Sequence, residues 1–87
     1  MYFLFILSDH RVMYDSKEKK FLKAVGKRIA EARNKRDLTQ QELAEAISMS
    51  VVTIAYLETG KRWARPATFL KLSQKLHVDV QDFFKGL

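Results

Sequence analysis

Lys61 and Arg62 stand side by side behind Gly60, just past a run whose apolar residues recur at helical spacing. Two adjacent cations beyond a helix end can neutralise phosphates and release their condensed counterions. The plainer reading of the same pair is an ordinary basic loop. Upstream, the Thr39 hydroxyl can cap a helix start. Catalytic chemistry finds no comparable set. The chain has no cysteine, which removes disulfides, thiolate metal sites and cysteine nucleophiles. His10 and His77 stand apart, with neither ligand spacing nor a nucleophile nearby. An enzyme is therefore disfavoured, and neither a metal nor a cofactor is expected.

The elements that must position these groups follow from the spacing between them. Thr39 with Glu42 three residues on is a capping-box pattern, so a helix begins there. Leu43 and Ile47 share one face of it. Ser48, Met49 and Ser50 break the run, and Ser50 can cap a second helix starting at Val51. On that helix Ile54 and Leu57 point inward together. Ala44 is small enough to let two helices cross closely. Two short helices joined by a sharp turn have a mechanical use: one braces on a DNA backbone while the next lies in the major groove.

The segment resembles the helix-turn-helix of the Cro/phage-repressor type, the large bacterial XRE-like family. The matching residues are Gln40, Glu42, Leu43, Ala44, Ile47, Met49, Ser50, Ile54, Leu57, Glu58, Gly60, Lys61 and Arg62, within a likeness running from Val25 to Phe84. The resemblance implies an all-α, compact five-helix lambda-repressor-like domain that binds operator DNA as a dimer. It implies that Val51, Val52, Ala55 and Tyr56 face base edges, and that Gln40 meets a phosphate. Thr39 (first of all a cap), Thr59, Lys61 and Arg62 complete the candidate phosphate contacts. It also implies that Arg33 and Glu58 form a partly buried ion pair positioning the second motif helix. Ser48 departs from the glycine usual at the turn, and a left-handed serine would be strained by roughly 1 kcal/mol. The base-facing set lacks the Arg, Gln and Asn side chains that make bidentate contacts, so thymine-biased reading through methyl contact is expected, with a contribution from DNA shape.

The remainder of the chain supplies a frame. Asp15 and Glu18 repeat the capping pattern ahead of a stripe of Leu22, Val25, Ile29 and Ala32, in a helix ending near Asn34 or Lys35. Pro66 suits the first turn of a helix carrying Phe69, Leu72 and Leu76, and Asp79 caps a short last helix with Val80, Phe83 and Phe84. Gly60 fits a left-handed helix stop. Trp63 lies in an enlarged loop, where packing is the expected role. The core is expected to hold Leu22, Val25, Ile29, Leu38, Leu43, Ala44, Ile47, Met49, Ile54, Leu57, Phe69, Leu72, Leu76, Val78 and Phe83. Residues 15–87 form the DNA-binding domain, and residues 1–14 form an arm.

Within that arm Tyr2, Phe3, Leu4, Phe5, Ile6 and Leu7 read as a short β-strand. The stretch falls far short of the roughly 20 apolar residues that span a bilayer. It also lacks a basic leader and a small-residue cleavage site. A cytoplasmic protein with no membrane partner is expected. A lone strand needs a partner, and pairing with a second copy makes it a candidate dimer contact together with Phe84. A start at Met13 would make the arm incidental.

Sixteen Lys and Arg against ten Asp and Glu give a net charge of +6, an excess that favours a polyanion partner. At 87 residues the chain is one domain, and 47% hydrophobic content argues against bulk disorder. The leading expectation is a sequence-specific regulator of transcription on double-stranded DNA, a homodimeric repressor or autoregulator. Phage-type repressor, restriction–modification controller and antitoxin are its subtypes. The alternative is an antitoxin or antirepressor-like module whose partner is a protein such as a toxin. That alternative makes Gln40, Lys61 and Arg62 dispensable.

Overall fold

The computed structural model describes residues 14–87. They form α1 (Ser16–Lys35), α2 (Gln40–Ala46), α3 (Val51–Glu58), α4 (Pro66–Leu76) and a final 3-10 turn (Val80–Phe83). The expected fifth helix is thus this 3-10 turn. Only four residues separate its Asp79 cap from Phe84, and Gly86 turns left-handed just beyond. Among the described residues there is no strand. The expected arm strand lies outside them.

Each start is set by local chemistry. Asp15 Oδ1 accepts from the Glu18 N–H at 2.8 Å, and Glu18 Oε1 accepts from the Asp15 N–H at 2.9 Å. Thr39 and Glu42 repeat the reciprocal pair at 3.0 and 2.8 Å. Ser50 Oγ accepts from the Thr53 N–H at 3.1 Å, and Pro66 occupies the first turn of α4. Each pair satisfies N–H groups that have no partner inside the helix.

The helix ends share one device. After α1, α2, α3 and α4 the chain turns through a left-handed residue: Asp37 (φ 57°), Ser48 (58°), Gly60 (75°) and His77 (59°). The residue after each then donates back to a carbonyl of the last turn, as in Leu38 to Arg33 (3.3 Å), Met49 to Ala44 (2.8 Å), Lys61 to Tyr56 (2.9 Å) and Val78 to Ser73 (3.1 Å). This is the Schellman closure, which satisfies carbonyls left open at a helix end. Glycine fills only one of these four positions. At Asp37, Ser48 and His77 a Cβ is forced into a region that costs about 1 kcal/mol each.

Helix α3 packs against both α1 and α2, while α1 also meets α4 and the 3-10 turn. Two glycines set how closely α3 approaches α1. A Cβ on Gly26 would collide with the carbonyl oxygens of Leu57 and Glu58, the latter at 2.6 Å. A Cβ on Gly60 would lie 2.7 Å from the Lys23 backbone. The core holds Val25, Ile29, Leu43, Ala44, Ile47, Ile54, Leu57, Phe69, Leu72, Leu76 and Phe83, with Leu38, Met49 and Val78 partly buried against it. Ala64 joins it unforeseen, anchoring the enlarged loop. Trp63 stays 39% exposed, yet its ring meets Phe69 edge-on at 5.2 Å and lies 6.1 Å from Phe84.

Two substitutions test this frame by urea or thermal unfolding. Ser48→Gly should stabilise by about 1 kcal/mol, because the left-handed turn is retained without its steric cost. Gly26→Ala should destabilise by about 2–3 kcal/mol, since backbone carbonyls have little room to retreat. A neutral Gly26→Ala would mean that the close approach of α3 to α1 is not needed.

Candidate nucleic-acid interface

The inner edge of α3 ends on Glu58, whose side chain is only 5% exposed. A carboxylate so enclosed needs partners, and three donors meet it. Arg33 on α1 donates through Nε at 2.7 Å and Nη2 at 3.0 Å, a bidentate pair. Gln40, the first residue of α2, donates through Nε2 at 2.9 Å. The remaining terminal nitrogen of Arg33 donates to the Leu38 carbonyl at 2.7 Å, in the loop between α1 and α2. One carboxylate therefore ties α1, α2 and α3 together. The Glu58 hydrogen bonds raise the Arg33 pKa above its ordinary value, against the opposing effect of burial. A raised pKa in the folded state contributes stability that is fully present below the ordinary value and lost only as pH climbs past the raised one. That window lies far above neutrality, so the arginine side of the clamp is constant across the working range.

The outer face of α3 is different in kind. Val51 and Val52 are 41% and 56% exposed, Tyr56 is 39% exposed, and Ala55 is half-buried between them. Where α3 stops, Lys61 and Arg62 fold back over the Tyr56 ring, with Nζ 5.9 Å and Cζ 5.4 Å from its centroid. Both distances suit attraction between a cation and a ring face. The result is an apolar helix surface bordered by two exposed cations.

The predicted site residues thus divide. Arg33, Gln40 and Glu58 meet in the clamp. Val51, Val52, Ala55, Tyr56, Lys61 and Arg62 share the outer side of α3 and its end. Thr39 caps α2, and the Thr59 hydroxyl donates to the Ala55 carbonyl at 2.8 Å. Phe84 is partly buried within its own chain, 5.1 Å from Phe69. Tyr2, Phe3, Leu4, Phe5, Ile6 and Leu7 lie outside the described residues. The inward bond of Gln40 was missed by sequence reasoning. The signal was the unfilled acceptor capacity of a buried carboxylate, which a single arginine cannot saturate. Among the described residues no group of His, Asp and Glu could hold a metal ion, and no helix is long and apolar enough to cross a membrane.

Two short helices crossing at a left-handed turn, the second bearing an exposed face, define a helix-turn-helix DNA-binding domain. A family model described as helix-turn-helix matches residues 29–83. That is more than half of the chain, and the chain belongs to the helix-turn-helix family of XRE type. Solved proteins similar in fold include a controller protein and a gene regulator. The restriction-modification controller protein C.AhdI from Aeromonas hydrophila is 27% identical at a TM-score of 0.69, over 72% of this chain and 96% of its own. The clp gene regulator ClgR from Corynebacterium glutamicum is 25% identical in two structures, at TM-scores of 0.69 and 0.70. These cover 74% of this chain and 83% and 68% of theirs. No curated protein matches the chain. It is a DNA-binding transcriptional regulator, and the comparisons lend no support to a toxin partner.

A double-mutant cycle checks the clamp. Arg33→Met and Glu58→Leu should each cost about 3 kcal/mol, because each strands a buried partner. The double variant should cost clearly less than their sum. Additivity within about 0.5 kcal/mol would show the pair to be uncoupled.

Proposed function

We propose that the chain acts as a homodimeric repressor or autoregulator that reads a two-part operator. Residues 15–87 form the DNA-binding unit, and residues 1–14, with Phe84, contribute to the contact between copies. Val51, Val52, Ala55 and Tyr56 face base edges in the major groove. Thr39, Gln40, Lys61 and Arg62 face the phosphates on either side, whereas the single hydroxyl hydrogen of Thr59 goes to the Ala55 carbonyl and leaves none for a phosphate. Gln40 keeps one amide hydrogen for this after bonding Glu58. The reading is carried by one observation: an exposed apolar face on α3, bordered by Lys61 and Arg62 and clamped from behind by Glu58. A dimer would set two such faces about 34 Å apart, one turn of DNA. The cytoplasm is the compartment that suits this work.

Selection of duplexes from random DNA by the full chain, followed by binding titrations at several salt concentrations, tests the proposal. A preferred sequence should emerge. Arg62→Ala should lower the salt slope by about 1, the value of one lost phosphate contact. An unchanged slope removes Arg62 from the interface. Sedimentation should show a dimer that weakens when the first twelve residues are removed, and an unaltered equilibrium would free the arm of that role.

A further inference from the structure

Around α3 the side chains of Ser50, Thr53, Thr59 and Gln40 bond within the protein. Ser50 Oγ and Thr53 Oγ1 lie 2.8 Å apart, and Ser50 also accepts from the Thr53 backbone. The Thr59 hydroxyl donates to the Ala55 carbonyl, and Gln40 and Arg33 both turn inward to Glu58. Lys61 and Arg62 sit beyond the helix end, over the Tyr56 ring. What the outer face of α3 offers a base edge is therefore the methyl groups of Val51, Val52 and Ala55 and one phenol. We infer that this surface recognises the C5-methyl group of a pyrimidine and not the identity of the base that carries it. The inference rests on the proposed placement of that face in the major groove.

The chemistry is short. Thymine presents an O4 acceptor beside its methyl group, whereas cytosine presents an N4 donor at the same edge. Telling the two apart takes a side chain of fixed polarity. A valine has none, and a phenol can donate to O4 or accept from N4 with equal ease. Methylation of cytosine at C5 puts a methyl group where thymine has one. To an apolar reader, thymine and 5-methylcytosine then look alike, as do uracil and cytosine. The regulator should consequently respond to cytosine methylation of its operator, binding the methylated site more tightly wherever cytosine stands at a contacted position.

The test uses the full chain and the duplex it selects from random DNA. Each thymine in turn is left intact, replaced by deoxyuridine, or exchanged with its partner for a 5-methylcytosine–guanine or a cytosine–guanine pair. At contacted positions deoxyuridine and cytosine should each weaken binding about fourfold, the worth of one buried methyl group. The 5-methylcytosine pair should stay within about twofold of the parent. Val52→Ala should narrow the gap between thymine and uracil while leaving the unfolding midpoint in place, because Val52 is exposed. Uracil equal to thymine at every position, or 5-methylcytosine no better than cytosine, overturns the inference while leaving DNA binding intact. Failure to select any preferred duplex overturns the placement of the face, and the inference with it.

Discussion

The carboxylate of Glu58 is the point on which the placement of α3 depends. It is buried, it is the last residue of α3, and its three hydrogen bonds come from α1 and α2. A charge in that position cannot be left half-satisfied, since stranding it costs several kcal/mol. A domain of this size commonly holds only about 5–15 kcal/mol in all. The orientation of α3 is consequently fixed by whatever satisfies Glu58: the Arg33 fork sets the angle to α1, and Gln40 sets the start of α2. Arg33 in turn holds the α1–α2 loop through the Leu38 carbonyl.

Steric closeness completes what the clamp begins. Gly26 lets the carbonyls of Leu57 and Glu58 come down onto α1, and Gly60 lets the chain leave α3 against the backbone of Lys23. The left-handed stop at Gly60 also aims Lys61 and Arg62 back over Tyr56. One short segment thereby ends the helix, seats it on α1 and places two cations beside its outer face. The same geometry that buries Ile54 and Leu57 leaves Val51, Val52 and Tyr56 outside. The buried face and the exposed apolar face lie on opposite sides of the same eight residues.

The sequence made much of this legible, because the information was local. Capping boxes at Asp15 and Thr39, the Ser50 cap and the apolar spacing all act within one helical turn, and each appears where its residues predict. The pairing of Arg33 with Glu58 came from family likeness, and spacing alone would not have joined residues so far apart in the chain. What escaped was nonlocal or backbone-borne. Gly26 reads as an ordinary helical glycine until a second helix is laid on it. Ala64 gives no hint of burial in a polar loop. Gln40 reads as a surface amide until the unfilled oxygen of Glu58 comes within reach. The last element reads as a helix from its cap and aromatic residues, but the segment is too short to make more than a 3-10 turn.

The central claim is that the outer face of α3 meets DNA while its inner edge stays clamped. Methyl and aromatic NMR spectra of the full chain, recorded as a selected duplex is added, address it most directly. The expected result is that the largest shifts fall on the methyl groups of Val51, Val52 and Ala55 and on the Tyr56 ring, with the Arg33 Nε–H signal unmoved. Shifts centred instead on exposed Leu70 and Leu87, with Val51 and Val52 silent, would contradict it.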